Sequence, residues 1–378
     1  MNRPLKDITV IEMAGLGPGP CAATLLADAG ATVIRIEGGQ KSALHSPIDE
    51  FKDPYSRGRR VITLDLKQAQ GIEAVLRLVD RADALIEGYR PGVMERLGLG
   101  PDVCLARRPS LVYGRISGWG QVGPLAHAAG HDINYIAIAG VLHAIGTAET
   151  PVVPLNLVGD LGGGGAILAF GISSALLQAA RTGCGEVIDV AMTDCAAFLM
   201  APFFARLAAG TWLDERAANI GDGGAPHYGV YRCKDGGFVA IGPLESKFWE
   251  VFLKLIGLEG DHEMAQRRNP EQWPSLRRRL QDRFATRTRD EWSKLFEGTD
   301  ACVQPVLTMR EAIAHPHNIA RETFVTESEA RVPGPVPRFG AEKTLVPSPP
   351  VHSTQEILLE VGFSRNEVAE MLRLGVAG

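Results

Sequence analysis

The sequence predicts an α/β fold with a parallel sheet, followed by a smaller α+β domain. Two observations carry this prediction. Short apolar runs typical of buried strands alternate with helical patterns over about the first 120 residues, which is typical of a parallel sheet with helices on both faces. From about residue 228 the pattern changes to a hairpin followed by several helices. The 378 residues are enough for two domains.

Local patterns mark each element of the first part. A turn rich in glycine and proline at 15–20 separates a buried strand from a helix at 21–28. The helix after the third strand has one apolar face, which repeats with helical spacing over 72–79. A further helix is predicted at 101–107. The predicted strands are 8–12, 32–37, 61–66, 84–87, 111–116 and 186–191. Residues 1–200 are therefore expected to form a Rossmann-like large domain.

The rest of the chain divides into two parts. Strands at 228–233 and 238–242 flank a tight turn, and helices follow, so residues 201–324 are predicted to form the α+β domain. Six prolines between residues 332 and 350 indicate an extended connector. A final helix at 354–374, broken near Gly362, completes a segment, 325–378, that is expected to return to the large domain.

Composition argues against several classes of function. A net charge of −5 without a long basic run does not favour a nucleic-acid partner. The uncharged stretch 161–180 contains five glycines, which favours a buried core helix over a membrane span. Residues 1–6 lack the basic and apolar regions of a signal peptide. The six cysteines form no close-set pair of the kind that binds zinc, and we expect them to be reduced in a cytoplasmic protein without a metal.

The turn at 15–20, with the acidic Glu37 beyond it, is close to the fingerprint of dinucleotide-binding proteins. Pro20 stands where the third glycine belongs, and Pro18 and Pro20 lack the N–H groups that would face a pyrophosphate. We therefore interpret the turn as a strand-to-helix connection that packs near a ligand, without NAD or FAD.

Two segments carry side chains suited to proton transfer. His131 is either a general base near neutral pH or a surface or structural histidine. Asp160 precedes the glycine run 162–165 and is either a simple helix N-cap or a functional carboxylate. Because glycines permit close approach of a ligand to the backbone, the N–H groups of Asp160 and Leu161 are candidate donors to an oxyanion.

Further charged residues are candidates for binding. Glu245 opens a helix after the hairpin and, taken alone, is a first-turn carboxylate favoured by the helix dipole. Arg90 and Arg96 follow a strand end, where ligands bind in parallel sheets, and Arg57 and Arg60 belong to a second basic patch. Arginines suit phosphate groups, and the alternative is solvated surface charge.

Several motifs in a fixed order resemble the class III CoA-transferase superfamily and, within it, the α-methylacyl-CoA racemases. The motifs are 10–20, 86–92, 97–100, 117–120, 130–135, 156–163, 222–226 and 315–317. The resemblance implies an acyl-CoA thioester substrate and no cofactor apart from the coenzyme A of that substrate. It also implies an interlocked homodimer, whose site lies between the large, CoA-binding domain of one subunit and the small domain of the other.

The resemblance also assigns individual residues. His131 matches the family's catalytic histidine, Asp160 its catalytic aspartate, and Glu245 the carboxylate that supports the histidine. The residues expected to contact substrate or CoA are Leu16, Arg57, Arg60, Arg90, Arg96, Tyr135, Asn156 and Leu161. Relatives often carry an arginine where this chain has Gly38, so that CoA contact is either lost or supplied from elsewhere, for example by Arg57 or Arg60.

The implied reaction is inversion of the α-carbon of a 2-methylacyl-CoA through an enolate. His131, held by Glu245, acts on one face of that carbon and Asp160 on the other. The alternative within the superfamily is a CoA-transferase in which Asp160 is the nucleophile, and the pair of His131 with Glu245 favours the racemase. A third possibility is a CoA-binding protein without turnover. The acyl chain is left open among branched fatty acyl, bile-acid side-chain and aryl-propionyl groups.

Overall fold

A computed structural model describes residues 3–38, 53–327, 330–340 and 346–378. Contacts divide the chain into two compact units. Unit 1 comprises Met1–Ala139, Leu155–Leu199 and Pro316–Gly378, and unit 2 comprises Gly140–Pro154 and Met200–His315. The short segment 140–154 thus belongs with the second unit, and 316–324 with the first, which the sequence pattern did not indicate.

The strands of the described chain come in three sheets. They are β1 Thr9–Met13, β2 Thr32–Gly38, β3 Arg59–Leu64, β4 Ala84–Glu87, β5 Val112–Ser117, β6 Val187–Ala191, β7 Gly229–Arg232, β8 Phe238–Ile241, β9 Val303–Pro305, β10 Phe324–Glu327, β11 Ala330–Pro333 and β12 Val351–His352. Unit 1 contains a seven-stranded sheet in the order β12-β3-β2-β1-β4-β5-β6, in which every pair is parallel. The parallel α/β sheet predicted from the alternation of elements is confirmed.

Helices occupy most of the remaining chain. They are α1 Pro18–Asp28, α2 Ala69–Val79, α3 Val93–Arg96, α4 Pro101–Arg107, α5 Asp132–Ile138, α6 Val141–Ala144, α7 Ala166–Thr182, α8 Met192–Leu199, α9 Ala201–Ala208, α10 Ser246–Ile256, α11 Trp273–Phe284, α12 Arg289–Phe296, α13 Met309–Ala314, α14 Pro316–Ala320, α15 Thr354–Glu360 and α16 Arg365–Arg373. The last two confirm the predicted C-terminal helix with its break near Gly362. Part of the predicted connector, 341–345, lies outside the described residues.

Unit 1 has a hydrophobic core on each face of its sheet, because side chains alternate along each strand. Ile11 and Ile34 point into a core shared with α2, α15 and α16. Val10 and Val33 point into the opposite core, shared with α1 and α7. Helices therefore cover both faces of the sheet, as predicted.

A π-helix, Leu157–Gly165, runs directly into α7, so the predicted helix begins earlier than residue 161. The backbone geometry of the π-helix explains why residues 162–165 are glycines. A Cβ at Gly162 would lie 2.8 Å from the carbonyl oxygen of Leu157, and one at Gly163 would lie 2.5 Å from that of Val158. A Cβ at Gly165 would lie 2.9 Å from Sγ of Cys21 in α1. The glycines thus permit both the wide helical turn and its close packing against α1.

The segment Leu157–Thr182 is long and apolar enough, by length and composition, to cross a membrane. Half of its most apolar stretch is buried in the structure, and Leu168 and Ile172 belong to the core against α1. Such burial is typical of the core helix of a globular unit.

Unit 2 has its own core. The predicted hairpin is present as β7 and β8, and β9 adds a third antiparallel strand. Aromatic side chains fill the space between this sheet and the helices, with Phe252 stacked on Trp249 at 5.1 Å and Trp292 edge-on to Phe284 at 5.1 Å between ring centroids. The core is independent of the two cores of unit 1.

Candidate active site

Asp160 lies in the π-helix of unit 1, and its carboxylate is half-buried. Oδ2 accepts a hydrogen bond from Nδ2 of Asn156 at 3.3 Å. A Cβ at Gly17 would lie 3.3 Å from the same Oδ2, so the turn at 15–20 packs directly against the carboxylate. π-helical turns are frequent at functional sites, and this one presents an acid from within a helix that continues into the core.

Burial raises the pKa of the Asp160 carboxyl above its ordinary value. The hydrogen bond from Asn156 lowers that pKa, the charge of Asp132 raises it, and the charge of His131 lowers it. The interaction with His131 brings the two acid–base residues predicted from the sequence into the same electrostatic environment. A carboxylate with a raised pKa is a stronger base than a solvated one.

Asp132, which the sequence did not single out, contacts the backbone of the π-helix. Its buried carboxylate accepts hydrogen bonds at Oδ1 from the N–H groups of Gly159 and Asp160, both at 2.8 Å. The N–H of Leu161 donates to the carbonyl of Asn156 at 3.3 Å. The two N–H groups considered as oxyanion donors are therefore engaged within the chain.

His131 immediately precedes α5 and its side chain is exposed. The backbone N–H of His131 donates to Oδ1 of Asn134 at 3.0 Å. The hydroxyl of Tyr135 donates to the carbonyl of Gly130, which fixes the residue before the histidine. A Cβ at Gly118 would lie 2.1 Å from the Tyr135 ring, so the glycines around this loop allow the ring to pack onto the backbone.

The Tyr135 ring also packs edge-on to Trp119 at 4.8 Å between centroids. Burial raises the pKa of the Tyr135 hydroxyl, with Asp160 raising it further and Arg90 lowering it. Tyr135 thus holds the His131 loop through its ring and its hydroxyl, and lies within electrostatic reach of Asp160.

The four candidate arginines fall into two groups. Arg57 is buried and forms an ion pair with Asp28 at 2.9 Å and 2.6 Å. Arg60 forms a bidentate ion pair with Glu360, with both bonds at 2.8 Å.

The other two arginines, Arg90 and Arg96, are exposed, and no described residue forms an ion pair with either. Leu16, at the tip of the 15–20 turn, is 53% exposed. In unit 1, Arg90 and Arg96 are therefore the candidate cations whose charge is available to a ligand.

Glu245 lies in unit 2, where it is exposed at the start of α10. Arg267, another residue that the sequence did not indicate, donates to the carbonyls of Pro243 at 2.7 Å and Leu244 at 3.0 Å. Its buried guanidinium lies 5.0 Å from the ring centroid of Trp249. Burial lowers the pKa of Arg267, with the charge of Arg268 adding to this effect and the charge of Glu245 opposing it. Arg267 thus fixes the backbone just before Glu245.

The amino-acid sequence matches CoA-transferase family III over residues 5–353. The chain belongs to this family. It is 43% identical to the α-methylacyl-CoA racemase of Mus musculus over 374 residues and 41% identical to that of Homo sapiens over 380 residues. Both matches cover 97% of this chain and 96% of the relative. The resemblance inferred from the motifs is confirmed.

Family III membership also agrees with the fold. The crystal structure of a CaiB/BaiF family protein from Brucella suis superposes with a TM-score of 0.81 at 26% identity, covering 96% of this chain and 100% of that one. Within the residues that the structure describes, no three His, Cys, Asp or Glu side chains are grouped to hold a metal ion.

Proposed function

We propose that the protein is an α-methylacyl-CoA racemase, which inverts the α-carbon of a 2-methylacyl-CoA thioester. The observation that carries this proposal is the half-buried carboxylate of Asp160, whose pKa is raised and which interacts with His131. A pair of groups able to exchange a proton with one carbon is what a 1,1-proton transfer requires. The full-length similarity to two proteins named α-methylacyl-CoA racemase supports the same activity.

The proposed reaction has two proton transfers. Either the Asp160 carboxylate or the neutral His131 imidazole removes the α-hydrogen, and the electron pair of the C–H bond forms an enolate on the thioester. The other residue, in its protonated form, then delivers a proton to the opposite face of the same carbon. The stereocentre is inverted, the two residues exchange protonation states, and the reverse reaction restores them.

The enolate oxygen requires hydrogen-bond donors. Because the N–H groups of Asp160 and Leu161 are engaged, we assign this role to the first turn of α5. The N–H groups of Asp132 and Ile133 lie there, directly after His131, and first-turn N–H groups have no acceptor within their own helix. The proposed donors then belong to the helix that directly follows the proposed catalytic histidine.

Phosphate groups of CoA are assigned to Arg90 and Arg96. Both are exposed cations in unit 1, and the charge of Arg90 reaches the Tyr135 ring beside the catalytic loop. For Arg57 or Arg60 to bind a phosphate, each would first have to leave its carboxylate partner. Leu16, Tyr135, Asn156 and Leu161 remain the other proposed contacts with the substrate or its CoA.

A homodimer with a shared site is proposed from the exposed apolar side chains of unit 1. Phe170 is 72% exposed and Leu177 is 54% exposed, and their spacing of seven residues puts them on one face of α7. Phe198 of α8 is 70% exposed. Large apolar side chains left in water indicate an interaction surface, and we assign it to a second copy of this chain. A cytoplasmic location remains a prediction from the cysteines, which are expected to be reduced.

Complementation between inactive variants tests the shared site. If His131 of one subunit works with the partner subunit's Glu245, mixing the H131A and E245A variants restores activity, because the mixed dimer contains one site with both residues intact. If both residues act within one subunit, every site in the mixture lacks one of them and activity stays absent. Sedimentation of each variant checks that the dimers form.

The activity is tested with one enantiomer of 2-methyldecanoyl-CoA in deuterium oxide, followed by NMR at the α-hydrogen. Deuterium uptake together with formation of the other enantiomer supports the racemase. Absence of exchange, but CoA transfer to an added carboxylic acid, would replace it with the transferase and make Asp160 the nucleophile. Binding of the thioester without either reaction would leave a CoA-binding protein. The D160N variant is the matched control, since it keeps the size of the side chain and removes its charge.

A further inference from the structure

We propose that Asp132 is a positioning residue that holds the Asp160 carboxylate at a fixed place relative to His131. This inference rests on the proposed racemase function, since it concerns the geometry of the two proton-transfer groups. Asp132 lies next to His131 in the sequence, but 28 residues from Asp160. Its side chain therefore joins two elements that each carry one of the proposed catalytic groups.

The contact is a helix cap supplied by a distant segment. The first N–H groups of a helix have no acceptor within that helix. Oδ1 of Asp132 accepts from two of them, those of Gly159 and Asp160, with both distances at 2.8 Å. A carboxylate forms stronger hydrogen bonds than a neutral acceptor, and a negative charge at a helix N-terminus is favoured by the helix dipole.

Two further features show that this contact is close and specific. A Cβ at Gly159 would lie 2.6 Å from Oδ1 of Asp132, so only a glycine at this position permits the observed approach. Asp132 is itself 6% exposed, which leaves little room for the carboxylate to move. The backbone of Asp160 is therefore tied to the first residue of α5.

The consequence for catalysis is geometric. His131 immediately precedes α5, and the N–H of Asp160 is bonded to the first side chain of that helix. A rotation or shift of the π-helix would change the position of the Asp160 carboxylate relative to His131. Proton transfer to and from one carbon depends strongly on such distances, and a displacement of about 1 Å can cost roughly 10²-fold in rate.

The charge of Asp132 has a second effect, which can be separated from the first. An asparagine would also accept two hydrogen bonds through its amide oxygen, so positioning alone does not require an aspartate. Oδ2 of Asp132 is buried, and no described residue donates to it. The charge of Asp132 also raises the pKa of Asp160, which makes Asp160 a stronger base. The carboxylate thus holds the catalytic aspartate and strengthens it.

The experiment compares D132A and D132N with the wild-type full-length protein. The assay is α-deuterium exchange of 2-methyldecanoyl-CoA, with kcat and KM measured across pH. We expect D132A to lose roughly 10²-fold in kcat with KM nearly unchanged. We expect D132N to retain kcat within about tenfold. The acidic limb of its pH–kcat profile should move to lower pH, because loss of the neighbouring charge lowers the pKa of Asp160.

The matched control is D102N, which changes an exposed first-turn aspartate of α4, another seven-residue helix of unit 1. It should leave both kcat and the acidic limb unchanged. Wild-type kcat in D132A, or an acidic limb of D132N that does not move, would overturn the inference. If D132A does not fold, G159A decides, because its Cβ would lie 2.6 Å from Oδ1 of Asp132 and break the same contact, so that wild-type kcat in G159A would overturn the inference. Absence of exchange in the wild-type protein would instead reject the proposed racemase itself.

Discussion

Gly17 faces the carboxylate of Asp160 so closely that a Cβ at residue 17 would lie 3.3 Å from Oδ2. Gly17 has a positive φ of 70°, a backbone conformation that residues other than glycine rarely adopt. This turn was interpreted from the sequence as a connection near a ligand. In the structure it forms one wall of the carboxylate's environment.

Gly17→Ala is therefore expected to affect both stability and activity. The positive φ should cost about 1–2 kcal/mol of the free energy of unfolding. The added methyl group should displace the Asp160 carboxylate and lower kcat. Gly15→Ala is the control for stability, because its Cβ would meet only the carbonyl oxygen of Met13 at 3.9 Å and its φ is ordinary. Urea unfolding of the two variants measures the difference in their free energies of unfolding. Equal values would contradict the expected backbone strain at residue 17.

Asn156→Ala should move the acidic limb of the pH–kcat profile to higher pH. The hydrogen bond from Asn156 lowers the pKa of Asp160, so its removal allows that pKa to rise further. The base form of Asp160 is then lost at a higher pH as the solution is acidified. This shift is opposite in sign to that expected for D132N. The deuterium-exchange assay across pH checks it, and a shift in the same direction for both variants would contradict the assignment.

Asp160→Asn should stabilise the folded protein at neutral pH while abolishing exchange. Because the pKa of Asp160 is raised on folding, the folded state binds more protons than the unfolded state between the two pKa values. The wild-type protein therefore loses stability as pH rises through that interval, and the variant does not. Thermal unfolding should show a higher Tm for D160N at pH 7. The difference should vanish below the ordinary pKa of an aspartate.

Arg267→Lys tests the support of Glu245 within unit 2. A lysine keeps the charge but cannot donate to the carbonyls of Pro243 and Leu244 with the same geometry. We expect kcat to fall by roughly tenfold, which corresponds to a rise of about 1.4 kcal/mol in the activation free energy, and KM to change little. The adjacent exposed Arg268, changed to lysine, is the matched control. Equal kcat in the two variants would show that Arg267 does not act through Glu245.

Arg90→Ala and Arg60→Ala should differ in their effect on CoA binding. Loss of a hydrogen bond to a charged group costs about 1.5–3 kcal/mol, so R90A should weaken CoA binding by at least about tenfold. R60A removes an exposed ion pair with Glu360 and should change stability by less than about 1 kcal/mol. Its CoA affinity should equal that of the wild type. Titration calorimetry with CoA measures both, and weaker binding by R60A than by R90A would reverse the assignment.

Several elements could be predicted from the sequence because their signals are local. The strand Ala84–Glu87 and the helix Pro101–Arg107 were predicted with the bounds that the structure has. The apolar face of α2, with its helical spacing, indicated a helix packed on one side against a core. The order of the motifs was enough to identify the family, since each motif lies in a short stretch of chain.

The tertiary structure decided the features that depend on distant parts of the chain. The π-helix was not predicted, because a glycine run is compatible with several backbone conformations and shows its purpose only where carbonyl oxygens occupy the place of a Cβ. Asp132 lies 28 residues from Asp160, so their hydrogen bond leaves no pattern in the sequence.

The sequence also does not show which arginines are paired with a carboxylate. Arg57, Arg60 and Arg90 are the same type of residue, so the sequence made each an equal candidate for phosphate binding. Asp28 and Glu360 engage the first two from 29 and 300 residues away, and Arg90 is left exposed. The sequence by itself thus determined the order of the elements and the family, and it indicated the candidate catalytic residues. Only the tertiary structure decided which charges are neutralised and what holds each candidate group, because those interactions depend on distance in space.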